Sequence, residues 1–336
     1  MEGLGFSMKA DAVLRTLTHD VVKSSEIEGE ALDTEQVRSS VARRLGMDIG
    51  GLKPADRHVE GVVEMMLDAT QRYGEPLTRE RLFGWHAALF PTGRSGMHPI
   101  AVGAWRDDRT SSMQVVSGPV GRERVHFEAP AAARIDDEMQ RFVDWFNRDP
   151  LEPVLKAAQA HLWFVTIHPF DDGNGRIARA IADMALARSE SSPQRFYSMS
   201  AQIRTERADY YRILERTQRA TLHVTPWIEW FLGCLTRAIE GAQVALTDIR
   251  AKARAWEQLR EVPLNARQRL IINRLLDGFE GKLTTSKWAA LTKSSQDTAL
   301  RDVQQLLERG VLVRNSAGGR STSYSLAPTS SPGGTP

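Results

Sequence analysis

The stretch HPFDDGNGRIAR, His168 to Arg179, decides how the rest of the chain is read. Before it, AAQAHLWFVTIH has the composition of a buried helix; after it, IARAIADMALAR has that of a second. Pro169 cannot continue the first helix, and Gly-Asn-Gly supplies the φ > 0 freedom of a tight connection. The second helix is therefore expected to start near Gly175, with Arg176 and Arg179 three apart in its first turn and on one face. A helix N-terminus carries about half a positive charge, so two arginines there call for an anion. Surface carboxylates such as Asp183 are one source. A bound ligand is the other: N–H groups of Gly173 to Gly175 form a nest, and two guanidinium forks suit phosphate oxygens. Asp171 and Asp172 favour the ligand, since a carboxylate beside a polyphosphate site points to bridging Mg²⁺. At the edge of the same loop His168, as a neutral imidazole, is suited to take a proton from a hydroxyl, worth about 10²–10⁴ in rate. The residues thus indicate transfer of a phosphate-containing group to a hydroxyl, and leave open which phosphorus is attacked.

The surrounding chain suits such an enzyme. Its 336 residues allow roughly two domains with real cores. Hydrophobic residues at 41% and charged residues at 26% are ordinary for a soluble globular protein. No window approaches the ~18 apolar residues of a membrane span, so no membrane partner is expected. MEGLGFSMKADAV lacks the basic and apolar regions of a secretory signal, which makes the expected compartment cytoplasmic. The single cysteine, Cys234, lies in the apolar run WIEWFLGCL and reads as a buried small hydrophobe. From Ala251 onward there are 13 Lys and Arg against 7 Asp and Glu, although the whole chain is only +2. A basic appended module follows from that asymmetry.

Periodicity makes the chain mostly helical. Val13, Leu17 and Val21 repeat at i+4 into SSEIEG, with Gly29 as a helix stop. Asp33 caps TEQVRSSVARRLG, and helices follow in HVEGVVEMMLDATQRY and, after Thr78, in RERLFGWHAALF. MQVVSGPVGRERVHF reads as a β-hairpin turning around Gly118-Pro119 and Gly121. Helical patterns resume in AAARIDDEMQRFVDWFN, RTERADYYRILERTQ and TPWIEWFLGCLTRAIEGAQ, with TDIRAKARAWEQLR leading out. Beyond Pro263, three helices and two strands around a Gly-Gly turn follow the plan of a winged helix-turn-helix. The expected organisation is N-terminal helices in 1–50, a catalytic domain in 51–250, a linker helix and winged helix in 251–328, and a disordered tail in 329–336.

HPFDDGNGRIAR resembles the signature of the Fic-domain protein AMP-transferases, His-x-Phe-x-Asp/Glu-Gly-Asn-Gly-Arg-x-x-Arg, with every fixed position filled. The resemblance extends to the upstream hairpin, the Tyr-Tyr helix downstream and the C-terminal winged helix of one bacterial branch. It implies a mainly α, Fic-type helical bundle with a β-hairpin flap, followed by a small winged helix-turn-helix. It implies AMP transfer from ATP, with Mg²⁺, to a Ser, Thr or Tyr hydroxyl of a target protein, releasing pyrophosphate. By the same resemblance His168 is the general base and Asp172 the Mg²⁺ ligand, while Asp171 falls on a variable position. Gly173, Asn174 and Gly175 resemble the α-phosphate cradle, and Arg176 and Arg179 the β- and γ-phosphate contacts. Gln114, Val115, Val116, Ser117 and Gly118 look like the flap that covers the nucleotide and holds the target chain by strand addition. Tyr210 lies where the family places a base-contacting tyrosine, and Gln218 where some relatives have a polar residue near adenine. Both positions equally suit core packing on a helix.

SSEIEGE carries a second resemblance. The family's inhibitory helix has Ser/Thr-x-x-x-Glu-Gly/Asn, and Ser24, Glu28 and Gly29 fit it. Glu28 would then pair with Arg179 and remove the donor that orients the γ-phosphate. Relatives of this branch often begin further upstream, so Met1 is expected to mark a shortened chain. Three alternatives stand beside AMP transfer. A kinase-like branch transfers the γ-phosphoryl group but departs from GNGRxxR, which this chain keeps. Glu28 could instead position water to remove AMP from a modified protein. Third, the Fic domain could sense nucleotide for a transcription regulator, with Ser295, Gln296, Thr298 and Arg301 in a DNA groove and Arg314 and Arg320 in the wing; a protein contact is the competing role for that module. Self-modification is expected of a released enzyme, and a homodimer is possible.

Overall fold

The computed structural model describes residues 6–47, 52–107, 112–118, 122, 124–219, 223–276, 279, 281–315 and 322–327. The hairpin tip at Pro119 and Gly121, the Gly318–Gly319 turn with Arg320, and the tail 329–336 lie outside them. The chain divides into two compact units, Met1–Gln243 and Val244–Pro336.

The first unit opens with α1 (Phe6–Ile27), α2 (Thr34–Arg44), α3 (Arg57–Gln71) and α4 (Arg79–Leu89). Asp33 accepts from the N–H groups of Glu35 and Gln36, and Thr78 from that of Arg81, so both expected caps operate. Two paired two-residue strands, β1 (Arg94–Ser95) and β2 (His98–Pro99), follow. They are too short for any alternation in sequence to announce them. The expected hairpin consists of β3 (Gln114–Ser117) and β4 (Arg124–Glu128), antiparallel with a bulge between Val115 and Val116. Then come α5 (Ile135–Arg148), α6 (Pro153–Ile167), α7 (Asn174–Glu190), α8 (Met199–Thr205) and α9 (Arg207–Arg219). The single helix read in RTERADYYRILERTQ is two, because Glu206 leaves helical geometry at φ −101° and ψ 25°. Its carboxylate is bound at both oxygens by Arg237, each at 2.6 Å.

A central pair, α6 and α7, is covered by α3, α4, α5 and α1. Phe142, Phe146, Phe164, Phe170, Ile177, Ile181, Met184, Trp227 and Phe231 lie fully buried between them, and this is what fixes the loop joining α6 to α7. Cys234 is buried as expected.

α10 (Thr225–Gln258) is one continuous helix of 34 residues, and the boundary between the units falls within it. Gly241 costs about 1 kcal/mol there but does not end it. The second unit holds α11 (Ala266–Leu276), α12 (Thr285–Thr292), α13 (Gln296–Glu308) and the antiparallel pair β5 (Leu312–Arg314) and β6 (Tyr324–Leu326). Ile271, Ile272, Trp288, Val303, Leu306 and Tyr324 form its own core.

Candidate active site

The α6–α7 loop is held by its own side chains. His168 closes α6 in the left-handed region at φ 52° and ψ 59°, a conformation costly for a residue other than glycine. Two contacts hold it there: its N–H bonds the Phe164 carbonyl at 3.0 Å, and Arg106 Nε donates to its carbonyl at 2.7 Å. Arg106 is 3% exposed, donates its own N–H to the Pro169 carbonyl and reaches the Pro130 carbonyl with its guanidinium. It thereby ties the segment that follows β4 to the histidine. Nothing in its sequence surroundings marks Arg106.

His168 Nδ1 lies 3.2 Å from the Val165 carbonyl. A carbonyl only accepts, so Nδ1 carries the proton and Nε2 keeps its lone pair. Nε2 has no hydrogen-bond partner among the described residues. Burial, reinforced by the charge of Arg106, holds the imidazole below its ordinary pKa of 6.5, and it is neutral at pH 7. That is the protonation state a general base requires.

Asn174 spends its side chain on the loop, accepting from Phe170 N–H at 3.0 Å and donating to the Phe170 carbonyl at 2.8 Å. Gly173 sits at φ 80°, and a Cβ there would come 2.9 Å from the Phe90 ring. Asp171 accepts from the Ala101 N–H at 2.8 Å, whereas Asp172 accepts from the Gly173 N–H and the Ser95 hydroxyl. Beneath them His86 stacks on Phe170 at 4.1 Å between ring centroids; burial pushes its pKa down to about 4. Among the described residues no three His, Cys, Asp or Glu side chains converge on one point. Mg²⁺ held between one carboxylate and phosphate oxygens needs no such cage, and Asp172 fits that limited part.

Both arginines point inward. Arg179 is 2% exposed and Arg176 4%. Arg179 bonds Ser24 Oγ at 2.9 Å and the Ser24 carbonyl at 2.8 Å, and meets Glu28 Oε1 at 2.8 Å. Arg176 lies over the Phe90 ring at 5.1 Å and meets Glu30 Oε2 at 2.8 Å. Asp183 is not their partner; it pairs with Arg195 at 2.7 Å. Among the described residues Arg179 Nη1 and Arg176 Nε lack any partner. A Cβ on Gly175 would fall 2.1 Å from Glu28 Oε1, so this carboxylate stands directly on the N-terminus of α7. The two arginines are compensated by the chain's own anions. Gly29 ends the α1 turn at φ 86°, where Arg207 and Tyr211 donate to the Ile27 carbonyl at 2.7 and 3.2 Å.

Tyr210 is 2% exposed, and its hydroxyl contacts His161 Nε2 at 2.9 Å. In this state it is a core residue beneath Arg179, and its neighbour Tyr211 is the one that reaches the surface. Gln218 contacts the Val165 carbonyl and the Thr166 hydroxyl at 3.4 and 3.3 Å, one turn before His168. The hairpin is anchored through β4: Arg219 donates to the Val125 and His126 carbonyls at 2.6 and 2.9 Å, and Glu215 takes His126 at 2.7 Å. Val115, Val116, Ser117 and Gly118 belong to the other strand and its turn, with Val116 48% exposed.

An anion-ready helix start, a neutral histidine and a hairpin thus come from one stretch of the first unit. Residues 76–186 match the family model described as Fic/DOC family, and the chain therefore carries a Fic domain. Residues 1–47 match a separate model, Domain of unknown function (DUF4172). Over 251 residues the chain is 27% identical to the protein adenylyltransferase Fic of Nematostella vectensis, covering 71% of this chain and 51% of that protein. Over 128 residues it is 31% identical to a uridine 5'-monophosphate transferase of Xanthomonas campestris pv. campestris, covering 36% and 23%. The chain thus spans about half the length of the adenylyltransferase, and less of the uridylyl enzyme. Among solved structures, a Fic family protein from Desulfovibrio desulfuricans G20 has a TM-score of 0.53 at 22% identity, covering 98% of this chain and 90% of that one.

Proposed function

We propose that the protein is an adenylyltransferase that moves AMP from ATP to a Ser, Thr or Tyr hydroxyl of a target protein. The observation that carries this reading is the start of α7, where two buried arginines have unpartnered nitrogens beside a neutral His168. His168 Nε2 takes the hydroxyl proton, the hydroxyl oxygen bonds to the α-phosphorus, and the α–β phosphoanhydride bond breaks. Pyrophosphate leaves with its charge matched by Arg176 and Arg179. When bound, Mg²⁺ neutralises phosphate charge, and Asp172 is the carboxylate suited to hold it. Gly173 and Gly175 leave room for phosphate at the helix start, and Asn174 keeps the loop in shape. Gln114 to Gly118 offer a strand edge to the target, and Gln218 is offered to the base, a part Tyr210 could take only on leaving its core contact with His161. Glu28, with Ser24 and Gly29, holds the enzyme inactive until it leaves Arg179.

The three helices and strand pair of the second unit have the order of a winged helix, and we assign that unit to partner binding. A salt-dependent shift of DNA would place it on nucleic acid.

To test the reading, Glu28→Gly protein is incubated with a cell lysate and ATP labelled at the α- or γ-phosphate, with UTP in parallel. Protein labelled from the α position of ATP, including the enzyme itself, is expected. Label from γ alone would make this a kinase, and label from UTP alone a uridylyltransferase like the relative from Xanthomonas. Loss of AMP from a purified, pre-labelled target with wild type, but not with Glu28→Gly, would mean removal rather than addition.

A further inference from the structure

The Ser/Thr-x-x-x-Glu-Gly/Asn pattern ends at Gly29, but the turn carries one more carboxylate. N–H groups of Glu28 and Glu30 both donate to the Ser25 carbonyl at 3.0 Å, and Gly29 between them is left-handed at φ 86°. This winding brings both side chains to α7. Glu30 Oε2 lies 2.8 Å from Arg176 Nη1, the same distance as Glu28 Oε1 from Arg179 Nη2.

Glu30 is also held from behind. Its Oε1 lies 2.7 Å from His58 Nε2 on α3, and His58 Nδ1 lies 3.2 Å from the Leu89 carbonyl. A carbonyl only accepts, so Nδ1 carries a proton, and a second proton on Nε2 would make His58 an imidazolium paired with Glu30. Contact with Glu30 raises the pKa of His58, in keeping with that state. Burial works against an ionised Glu30, yet His58 and Arg176 outweigh it and hold the carboxyl below its usual range.

We propose that Glu30, anchored by His58, is a second inhibitory residue that occupies Arg176 as Glu28 occupies Arg179. The proposal rests on reading the start of α7 as the nucleotide-phosphate site. Arg176 is 4% exposed and packed on Phe90, so it cannot swing to solvent to find a phosphate. Glu30 has to leave instead. A donor nucleotide therefore displaces two carboxylates, and Glu28→Gly lifts only one of them.

The test is calorimetric binding of Mg-ATP to full-length wild type, Glu30→Gln, Glu28→Gly and the double variant, with Arg176→Ala in the presence and absence of Glu30→Gln. Glu30→Gln should tighten binding about tenfold in both backgrounds, the scale of one charge-assisted contact released. That gain should vanish when Arg176 is alanine. Unchanged or weaker binding on Glu30→Gln, or a gain that survives Arg176→Ala, overturns the second lock. If the double variant binds ATP tightly but transfers no α-label to protein, the lock stands and AMP transfer falls. No binding by any variant sinks both.

Discussion

Glu28→Gln removes a charge from the resting site while keeping its shape, and its cost follows from the contacts. Arg179 meets one Glu28 oxygen at 2.8 Å; its other bonds go to neutral oxygens of Ser24. Deleting one partner of a fully buried pair costs about 3–5 kcal/mol. Here the Glu28 side chain is 31% exposed, so water screens the pair, and an amide oxygen still accepts. Roughly 1–2 kcal/mol remains. The uncompensated cation at a helix N-terminus adds ~0.3–1 kcal/mol. At ~2–4 °C per kcal/mol for a domain of this size, Tm should fall by about 3–12 °C in nucleotide-free buffer. Mg-ATP should then stabilise the variant more than the wild type, because phosphate replaces the missing anion without a competitor. At a hundredfold excess over Kd the variant's gain is about 2.7 kcal/mol. Thermal melts of both proteins, with and without Mg-ATP, measure each quantity. A variant that melts with the wild type and shifts equally with nucleotide would refute the view that Glu28 stands in for phosphate.

His168→Ala should abolish transfer while leaving Mg-ATP affinity within about threefold, because the imidazole addresses the hydroxyl; near-normal labelling of target would make it structural. Since burial lowers its pKa in the free enzyme, the neutral base persists below pH 6.5, and the acid limb of a kcat/KM profile should have its midpoint below that value. A limb centred above it would contradict the assignment. Asp172→Ala should remove most activity together with its Mg²⁺ dependence, and Asp171→Ala, which loses only the bond to the Ala101 N–H at 2.8 Å, should be mild; equal losses would undo the distinction. Arg106→Ala strips the His168 and Pro130 carbonyls of a shared donor, costing about 2–4 kcal/mol of stability. Displacement of the base by ~1 Å can cost ~10²-fold, so kcat should fall at least tenfold with ATP affinity kept, and an unaltered kcat would confine Arg106 to folding.

What the sequence made legible is what lies close along the chain. His168 to Arg179 spans one helix end, one loop and one helix start, so proline, glycine and arginine at short spacings were enough to place a loop and demand an anion. Pairing of Glu28 with Arg179 came from resemblance alone, and it is present at 2.8 Å. Glu30, His58, Arg106 and Ser95 were missed because they are ordinary residue types that reach the loop only through tertiary folding; 146 residues separate Glu30 from Arg176, and 62 separate Arg106 from His168. Composition cannot report such contacts. Tyr210 shows the complementary limit: two adjacent tyrosines on one helix point about 100° apart, and which of them faces the core depends on the helices packed around α9.

Under the proposed function, the two arginines at the start of α7 are what would let the N-terminal turn act as a brake. Two buried guanidinium groups against a positive helix end are tolerable only with anions beside them. The chain supplies two, at matched distances, from residues on either side of one left-handed glycine. A nucleotide entering the same place does not create a charge-paired site; it exchanges one set of anions for another. The favourable charge term is therefore largely cancelled, and net affinity depends on what the polyphosphate adds beyond two carboxylates: contacts to Arg179 Nη1 and Arg176 Nε, which no described group satisfies. Exchange also leaves the Arg179 bonds to Ser24 available, so α1 need not detach. A swing of two side chains would open the site, and the barrier to it lies in Glu30, which is tied to His58 as well as to Arg176. On this argument Glu28 sets how well the γ-phosphate is aligned, and Glu30 sets how readily the polyphosphate enters.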